Sequence, residues 1–174
     1  MFQGSFGSVF LCRKHSETEC QYVALKMLDV NSFVEIHQTD LVTNEIRILS
    51  ILNHENIIKY YGSFLWRDKL YIEMEYADAG TLDSFLNSLN IPLPEYEILA
   101  IFLQIVTAVQ YLHGNNVIHR DIKTKNIFLN KQGFIKLGDF GISKILISNN
   151  DARSFVGTPF YLCPEIVSYH KCYQ

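Results

Sequence analysis

One segment of the sequence combines residues that could move a proton and hold a metal ion. The run His119-Arg120-Asp121-Ile122-Lys123-Thr124-Lys125-Asn126 follows a helix-like stretch and precedes a β-like one, so we expect it on a loop. One turn would bring the carboxylate of Asp121 and the amide of Asn126 together, and Lys123 adds a cation beside them. Read alone, the segment fits a solvated charged loop equally well.

A second carboxylate lies at the end of the strand-like run 134–138. Asp139 is followed by Phe140 and Gly141, which suits a metal ligand with a movable apolar anchor, although Asp-x-Gly is also a common turn. Two β-like runs lie between Asp121 and Asp139, and a hairpin formed by them would return the second carboxylate close to the first.

A lysine and a glutamate further towards the N-terminus form a candidate ion pair. Lys26 ends the run Val-Ala-Leu-Lys in a β-like stretch, and Glu45 lies within a predicted helix. A lysine among apolar neighbours is costly to bury without a partner, so we expect a carboxylate beside it. For this pair alone, a purely structural role is the favoured interpretation.

Two loops carry residues suited to phosphate or substrate contact. In Gly4-Ser5-Phe6-Gly7-Ser8-Val9, two glycines between β-like runs let the backbone approach phosphate oxygens, although glycine-rich hairpin turns are common. The segment 157–165, GTPFYLCPE, is a proline-stiffened loop with the hydroxyl of Thr158 near its start.

The order of elements predicts a two-lobe α+β protein. β-like runs at 21–28 and 69–76 surround one helix at 35–52, and a long helix at about 94–114 precedes short β runs at 126–130 and 134–138. We expect a sheet-rich lobe over residues 1–76, a mainly helical lobe over residues 77–174, and a ligand cleft where the two meet.

The amino-acid composition limits the classes of protein to which the chain can belong. The 174 residues suffice for one domain or most of one, and 48% hydrophobic with 19% charged residues excludes intrinsic disorder. A net charge of −3 does not fit a nucleic-acid or membrane-surface protein. The four cysteines lack metal-ligand spacing, so we expect reduced thiols. We expect no membrane-spanning segment, a buried helix at 98–112 and a cytoplasmic protein.

Together, these motifs resemble the signature set of eukaryotic protein kinases over essentially the whole chain. The set comprises the glycine loop, VALK, the helix glutamate, HRD-x-K-x-x-N, DFG, GTP and Pro-Glu. HRDIKTKNIFL, KYYGSF at 59–64 and GTPFYLCPE are similar to the NIMA-related branch of serine/threonine kinases. The resemblance implies transfer of the ATP γ-phosphate to serine or threonine hydroxyls of protein substrates. The alternative is a catalytically silent nucleotide-binding or interaction fragment.

The resemblance also implies roles for individual residues. Asp121 would accept the substrate proton, Lys123 would steady the γ-phosphate, Asn126 and Asp139 would hold Mg²⁺, and Thr158 would mark a serine/threonine kinase. The residues implied to bind ATP are Gly4, Gly7, Val9, Ala24, Lys26, Glu45, Met74, Glu75, Ala77, Phe128 and Asp139.

Two regulatory residues follow from the same resemblance. Ser154 lies where the family places its activating phosphate, with Arg120 as the receiving cation; the alternative is an ordinary loop serine. Leu49, Tyr60, His119 and Phe140 match the stacked apolar column of an active kinase. Tyr60 would turn inward as an autoinhibitory plug, or would simply be an amphipathic core tyrosine.

The chain departs from the family pattern at both ends. Phe2 occupies the place of the first loop glycine, and we expect the strand before that loop to be missing. We expect further helices beyond residue 174, so that Glu165 lacks its partner and the helix at 94–114 loses cover. Regulatory partners or dimerisation would involve absent segments. Cell-cycle, nuclear, centrosomal or ciliary roles are implied by the resemblance only.

Overall fold

The computed structural model describes residues 2–4, 7–15, 20–29, 36–141, 143–145, 158–162 and 164. The strands are β1 Phe2–Gly4, β2 Gly7–His15, β3 Cys20–Asp29, β4 Tyr60–Trp66, β5 Lys69–Glu75, β6 Val117–Ile118, β7 Ile127–Leu129, β8 Ile135–Leu137 and β9 Lys144–Ile145. The helices are α1 Ile36–Ile51, α2 Leu82–Ser88 and α3 Glu95–Gly114, with 3-10 turns at Thr124–Asn126 and Pro159–Tyr161. This is the α+β order that the sequence predicts.

The first five strands form one antiparallel sheet in the order β1-β2-β3-β5-β4. Val9 lies opposite Lys26, and Met74 lies opposite Ala24. Because side chains alternate between the two faces of a strand, these four residues share one face of the sheet. That face therefore carries the residues expected to surround a nucleotide.

Helix α1 packs against the sheet through an apolar stripe. Ile48 and Leu49 are buried and belong to the same core cluster as Leu28 of β3 and Ile72 of β5. Burial of side chains of this size typically stabilises a fold by about 1.5–3 kcal/mol each. This packing sets the position of Glu45, which lies on the same helix.

The second half of the chain begins with two helices and a hairpin. Thr81 caps α2 in a capping box with Ser84, which satisfies backbone groups that the helix leaves open. Strands β7 and β8 pair as an antiparallel hairpin, with Gly133 at φ +87° in its turn. The loop between α3 and β7 carries Asp121, as predicted.

The segment after α1 connects the sheet to this hairpin. The Ile58 N–H donates to the carbonyl of Leu137 at 2.9 Å, and the Leu137 N–H donates to the carbonyl of Asn56 at 2.8 Å. Ile57 and Leu137 are both buried in one apolar cluster that also includes Leu112 of α3. A single core therefore extends from the sheet into the helical part.

The strand that begins at Phe2, the place of the first loop glycine, is short, and no strand lies before it within the described residues. β1 forms over Phe2–Gly4 and pairs with β2, with Phe2 opposite Val9 and Gly4 opposite Gly7. Three residues suffice because the second strand of a hairpin offers a ready row of backbone partners. The glycine segment is thus the turn of a hairpin.

The expectation of a buried helix at 98–112 is wrong. α3 buries Ala108 and Leu112, but Leu99, Phe102 and Leu103 are 56%, 57% and 63% exposed. A helix that is apolar on all sides normally lies inside a protein, and here one side of α3 faces outward. This side of α3 is therefore exposed within the described residues.

The expectation that no segment is long and apolar enough to cross a membrane is wrong for α3. It is 20 residues long and contains an 18-residue window of mean hydropathy 1.3, so by length and composition it is sufficient to cross a bilayer. One such helix is weak evidence, since core helices meet the same criterion, and its other side packs in the apolar cluster.

Candidate active site

Three polar side chains converge on the carboxylate of Asp121. The Thr158 hydroxyl donates to Oδ1 at 2.5 Å, while Lys123 Nζ at 2.6 Å and Asn126 Nδ2 at 2.9 Å donate to Oδ2. Lys123 Nζ also donates to the Thr158 hydroxyl at 2.7 Å. Asp121, Lys123, Asn126 and Thr158, which were predicted together, are therefore brought together.

The surroundings of Asp121 keep it ionised. Partial burial would raise the pKa of this carboxyl, but hydrogen bonds from Lys123, Thr158 and Asn126 outweigh burial and lower the pKa from its ordinary value. A charged carboxylate accepts hydrogen bonds only, so it is suited to receive a hydroxyl proton. The chemistry available here is general-base assistance to an alcohol.

The predicted ion pair between β3 and α1 is formed. Lys26 Nζ lies 2.6 Å and 2.9 Å from the two carboxylate oxygens of Glu45. Their side chains are only 11% and 5% exposed. A buried pair of this geometry fixes the lysine ammonium on the sheet face that also carries Val9 and Ala24.

Phe140 anchors the segment that carries Asp139. Phe140 is buried, and its ring centroid lies 4.9 Å from that of His119. The His119 Nε2 is 3.0 Å from the carbonyl of Gly138, and burial lowers the pKa of this imidazole, which favours the neutral ring. Leu49 and Phe140 belong to the core cluster and Tyr60 packs against it, so the members of the predicted column lie in or against one core.

Two residues of the catalytic segments adopt left-handed backbone conformations. Arg120 has φ +68° and Asp139 has φ +61°. Such angles are uncommon outside glycine, cost energy and cluster at functional sites. The fold therefore holds both segments in conformations that an unconstrained loop would avoid.

The predicted nucleotide-contacting backbone lies between β5 and α2. Ala77 is buried, and its backbone N–H and C=O have no partner within the described residues. Buried backbone groups are normally paired, so both are available to a ligand. Glu75 differs, because its N–H donates to the carbonyl of Lys59 at 2.8 Å. The remaining predicted residue, Phe128, is half-buried on β7.

Asn126 and Asp139 fit a magnesium ion by their chemistry. The Asn126 amide nitrogen donates to Asp121, and its side-chain carbonyl oxygen has no partner within the described residues. The carboxylate of Asp139 is exposed and has no partner in the part of the chain that the structure describes. Amide and carboxylate oxygens are hard ligands of the kind Mg²⁺ takes, usually completed by water and phosphate.

The structure tests the two regulatory predictions only in part. Ser154 and Glu165 lie outside the described residues. The Tyr60 hydroxyl donates to the Ser63 hydroxyl at 2.9 Å, while the Lys26–Glu45 pair is intact. The autoinhibitory role of Tyr60 stays a prediction.

Several supporting contacts escaped the sequence analysis. The Thr124 hydroxyl donates to Asp83 of α2 at 2.9 Å, which ties the catalytic loop to that helix. Asn44 of α1 donates to the carbonyl of Ser143 at 2.7 Å, and the buried Ser143 hydroxyl donates to the carbonyl of His119 at 3.0 Å. Short polar side chains of this kind carry no periodic signal in a sequence.

Comparison with known proteins decides the family. A family model described as protein kinase domain matches residues 2–174. The chain belongs to the protein kinase domain family. This confirms the two-lobe kinase-like fold that the sequence predicts.

Named relatives agree with the family and with its serine/threonine branch. The chain is 44% identical over 99% of its length to "Probable serine/threonine-protein kinase nek3" of Dictyostelium discoideum. It is 43% identical over 94% of its length to "Serine/threonine-protein kinase Nek8" of Danio rerio and 43% identical over 95% to "Serine/threonine-protein kinase ppk11" of Schizosaccharomyces pombe. The predicted resemblance to NIMA-related kinases is confirmed.

The chain covers only part of each of these relatives. It spans 16% of the Dictyostelium protein, 23% of the zebrafish protein and 52% of the fission-yeast protein. The similarity therefore concerns the kinase domain of these relatives. The activity and partners of the whole protein are matters for proposal.

Proposed function

We propose that the protein containing this chain transfers the γ-phosphate of ATP to serine or threonine hydroxyls of other proteins, with Mg²⁺ as cofactor. The observation that carries this is the hydrogen bond from the Thr158 hydroxyl to Asp121. It shows that the ionised carboxylate accepts a hydrogen bond from an alcohol, as the reaction requires of a substrate hydroxyl. The kinase names of the relatives support the same reaction over the catalytically silent alternative.

Positioning and charge neutralisation would do most of the work in this reaction. Bound Mg²⁺ would neutralise phosphate charge, held by Asn126 and Asp139. Lys26, fixed by Glu45, would hold phosphate oxygens, and Lys123 would steady the group in transfer. Asp121 would align the hydroxyl of the substrate and take its proton. The base of ATP would meet the free backbone groups of Ala77.

Regulation and cellular context belong to the same proposal. Phosphorylation of Ser154, received by Arg120, would activate the enzyme, and an inward turn of Tyr60 would inhibit it. The names of two relatives as Nek proteins support a NIMA-related kinase. On that resemblance we propose cytoplasmic, nuclear, centrosomal or ciliary action, a role in the cell cycle, and regulatory partners or dimerisation through segments outside this chain.

A phosphotransfer assay of the full-length protein tests the proposal. Radiolabelled ATP, MgCl₂ and dephosphorylated casein are incubated with wild type and with Asp121→Asn, and labelled amino acids are identified after hydrolysis. We expect label on serine or threonine, and a rate lower by about 10²–10⁴-fold in the variant, because a general base is removed. Asp68→Asn, an exposed carboxylate in the β4–β5 turn, is the matched control and keeps the rate.

The result that contradicts the proposal is equally concrete. If ATP binds but casein is not labelled, the result favours the catalytically silent alternative. Label that persists in Asp121→Asn would show that this carboxylate is not the base.

A further inference from the structure

A cleft on the side of β5 away from the nucleotide face has no place in the proposed reaction. It encloses about 320 Å³ between the segment after α1 and the start of β4, and β5 and β8 close it. Leu52 and Ile57, both buried, form its floor. A cleft of this size lies at the lower end of the range of small-molecule sites, which is about 300–1,000 Å³.

The carboxylate of Glu75 in this cleft is already neutralised. Lys136 Nζ lies 2.8 Å from Oε1, and the Lys59 N–H donates to Oε2 at 3.1 Å. The two side chains are 13% and 21% exposed for Lys136 and Glu75, so this pair is largely shielded from water. The other carboxylate that lines the cleft belongs to Glu55, which is exposed to solvent at the rim.

Three hydrogen-bond donors in the cleft have no acceptor within the described residues. His54 Nδ1 accepts the N–H of Asn56 at 3.1 Å, so the neutral ring carries its proton on Nε2. The Tyr61 hydroxyl accepts from Gln21 at 3.2 Å and keeps its own proton to donate. Burial, with the charge of Glu75, raises the pKa of Tyr61 and preserves that donor. The third donor is the exposed ammonium group of Lys59.

An apolar floor with surplus donors at its edge suits a ligand that has a flat apolar body and an acceptor-rich anionic end. We propose that this rear cleft binds a small aromatic carboxylate, whose carboxylate pairs with Lys59 and accepts from Tyr61 and His54. Its ring lies on Leu52 and Ile57.

Ligand binding in the rear cleft also affects ATP binding, because Glu75 connects the two sites. The side chain of Glu75 lies in the cleft, while its backbone is joined to Lys59 and continues to Ala77. A ligand carboxylate held by Lys59 adds a second negative charge beside that of Glu75, which disfavours the present position of Glu75 and of the backbone joined to it, so it weakens ATP binding. This part rests on the proposed function. By linkage, ATP weakens binding of the carboxylate by the same factor.

The test uses the full-length protein with 2-naphthoate as the probe and 2-naphthamide as its neutral counterpart. Titration calorimetry compares wild type with Lys59→Ala and Tyr61→Phe, which are exposed positions, and with Lys131→Ala. Lys131 is 76% exposed and lies outside the cleft, so it is the matched control. We expect the acid to bind at least tenfold more tightly than the amide, a loss of fivefold or more in Lys59→Ala and Tyr61→Phe, and no change in Lys131→Ala.

Equal affinity for acid and amide, or an unchanged affinity in Lys59→Ala, would overturn the rear-cleft site. The coupling is measured separately, as the Kd of ATP at rising naphthoate concentration. We expect Kd to rise about fivefold and then level off. A Kd of ATP that keeps rising in proportion to the naphthoate concentration would instead show competition at the nucleotide site. An unchanged Kd would refute the coupling. Failure of ATP to bind at all would count against the proposed function, while naphthoate binding still decides the cleft.

Discussion

At the scale of single residues, the proposed function depends on how the charge of Asp121 is stabilised. Three donors surround its carboxylate, and together they lower its pKa against the opposing effect of burial. A carboxyl with a lowered pKa stays ionised as the pH falls, so we expect the proposed base to remain active in mildly acidic solution. Removal of any of these donors should raise the pKa of Asp121 and so reduce the activity at the acidic end of the pH range.

Thr158→Val tests this at one atom. The variant removes the hydroxyl that donates to Asp121 and keeps the shape of the side chain, so we expect the pKa of Asp121 to rise. The acid limb of the pH profile of kcat/KM then moves to higher pH, while Thr158→Ser restores the wild-type position. An acid limb at the same pH in Thr158→Val would show that this hydroxyl does not tune the base.

The chemistry-bearing residues could be recognised from the sequence, whereas their supports could not. Asp121, Lys26 and Asp139 occur in motifs whose spacing has a chemical reason. Asp83 and Ser143, which hold the catalytic loop and the backbone beside it, are short polar residues with ordinary neighbours. Their partners lie tens of residues away, and only the folded chain brings them together.

At the scale of elements, burial decides how much an ion pair contributes to the free energy of unfolding. Lys26–Glu45 joins β3 to α1, and Lys14–Glu73 joins β2 to β5, both with N–O distances of 2.6 Å. The first pair is nearly inaccessible to water, whereas Lys14 is 55% exposed. Because their shortest N–O distances are equal and their burial is not, the two pairs make a useful comparison.

Glu45→Gln is expected to destabilise the protein far more than Glu73→Gln. Loss of one partner from a buried pair costs about 3–5 kcal/mol, because the other charge stays uncompensated, and the remaining amide oxygen makes this an upper bound. An exposed pair is worth about 0–1 kcal/mol. Urea unfolding measures both, and ATP affinity should fall in Glu45→Gln alone. Equal losses of stability would show that burial does not separate the two pairs.

The connection between the two halves of the molecule depends on a buried amide. Asn56 Nδ2 donates to Gln104 Oε1 at 2.9 Å and to the carbonyl of Ile135 at 3.2 Å. Asn56→Ala removes both of these hydrogen bonds, although Gln104 Oε1 keeps the N–H of Ile135 at 3.0 Å, so we expect the free energy of unfolding to fall by about 1–3 kcal/mol. Asn87→Ala, at an exposed position of α2, is the control and should stay within about 0.5 kcal/mol of wild type. A matching loss in both variants would remove the argument for this connection.

The boundaries of the larger elements were predictable, and the surroundings of α3 were not. Periodicity and residue type place α1, β3, β5 and α3 within a few residues of their observed limits. The same apolar composition also predicts a buried α3, because sequence reports hydrophobicity and not which neighbours are present. One side of α3 packs through Ile105 and Ala108, and the opposite side has no cover within the described residues.

At the scale of the whole molecule, this uncovered side of α3 dominates the surface. Leu99, Phe102, Leu103 and Val106 recur at the spacing of one helix face and are between 42% and 63% exposed. An apolar surface of this kind binds hydrophobic dyes and promotes association. We therefore expect a chain of these 174 residues to bind such a dye strongly and to unfold over a broad temperature range.

The double variant Phe102→Glu with Leu103→Glu tests the origin of that behaviour. Both side chains are more than half exposed, so their replacement should sharply reduce dye fluorescence and association while secondary structure is kept. Leu112→Glu, which places a charge in the apolar core, is the contrasting variant and should unfold the chain. The measurements are dye fluorescence, light scattering and circular dichroism during heating. A sharp, reversible melt with weak dye binding in the unmodified chain would mean that this side of α3 is covered in solution.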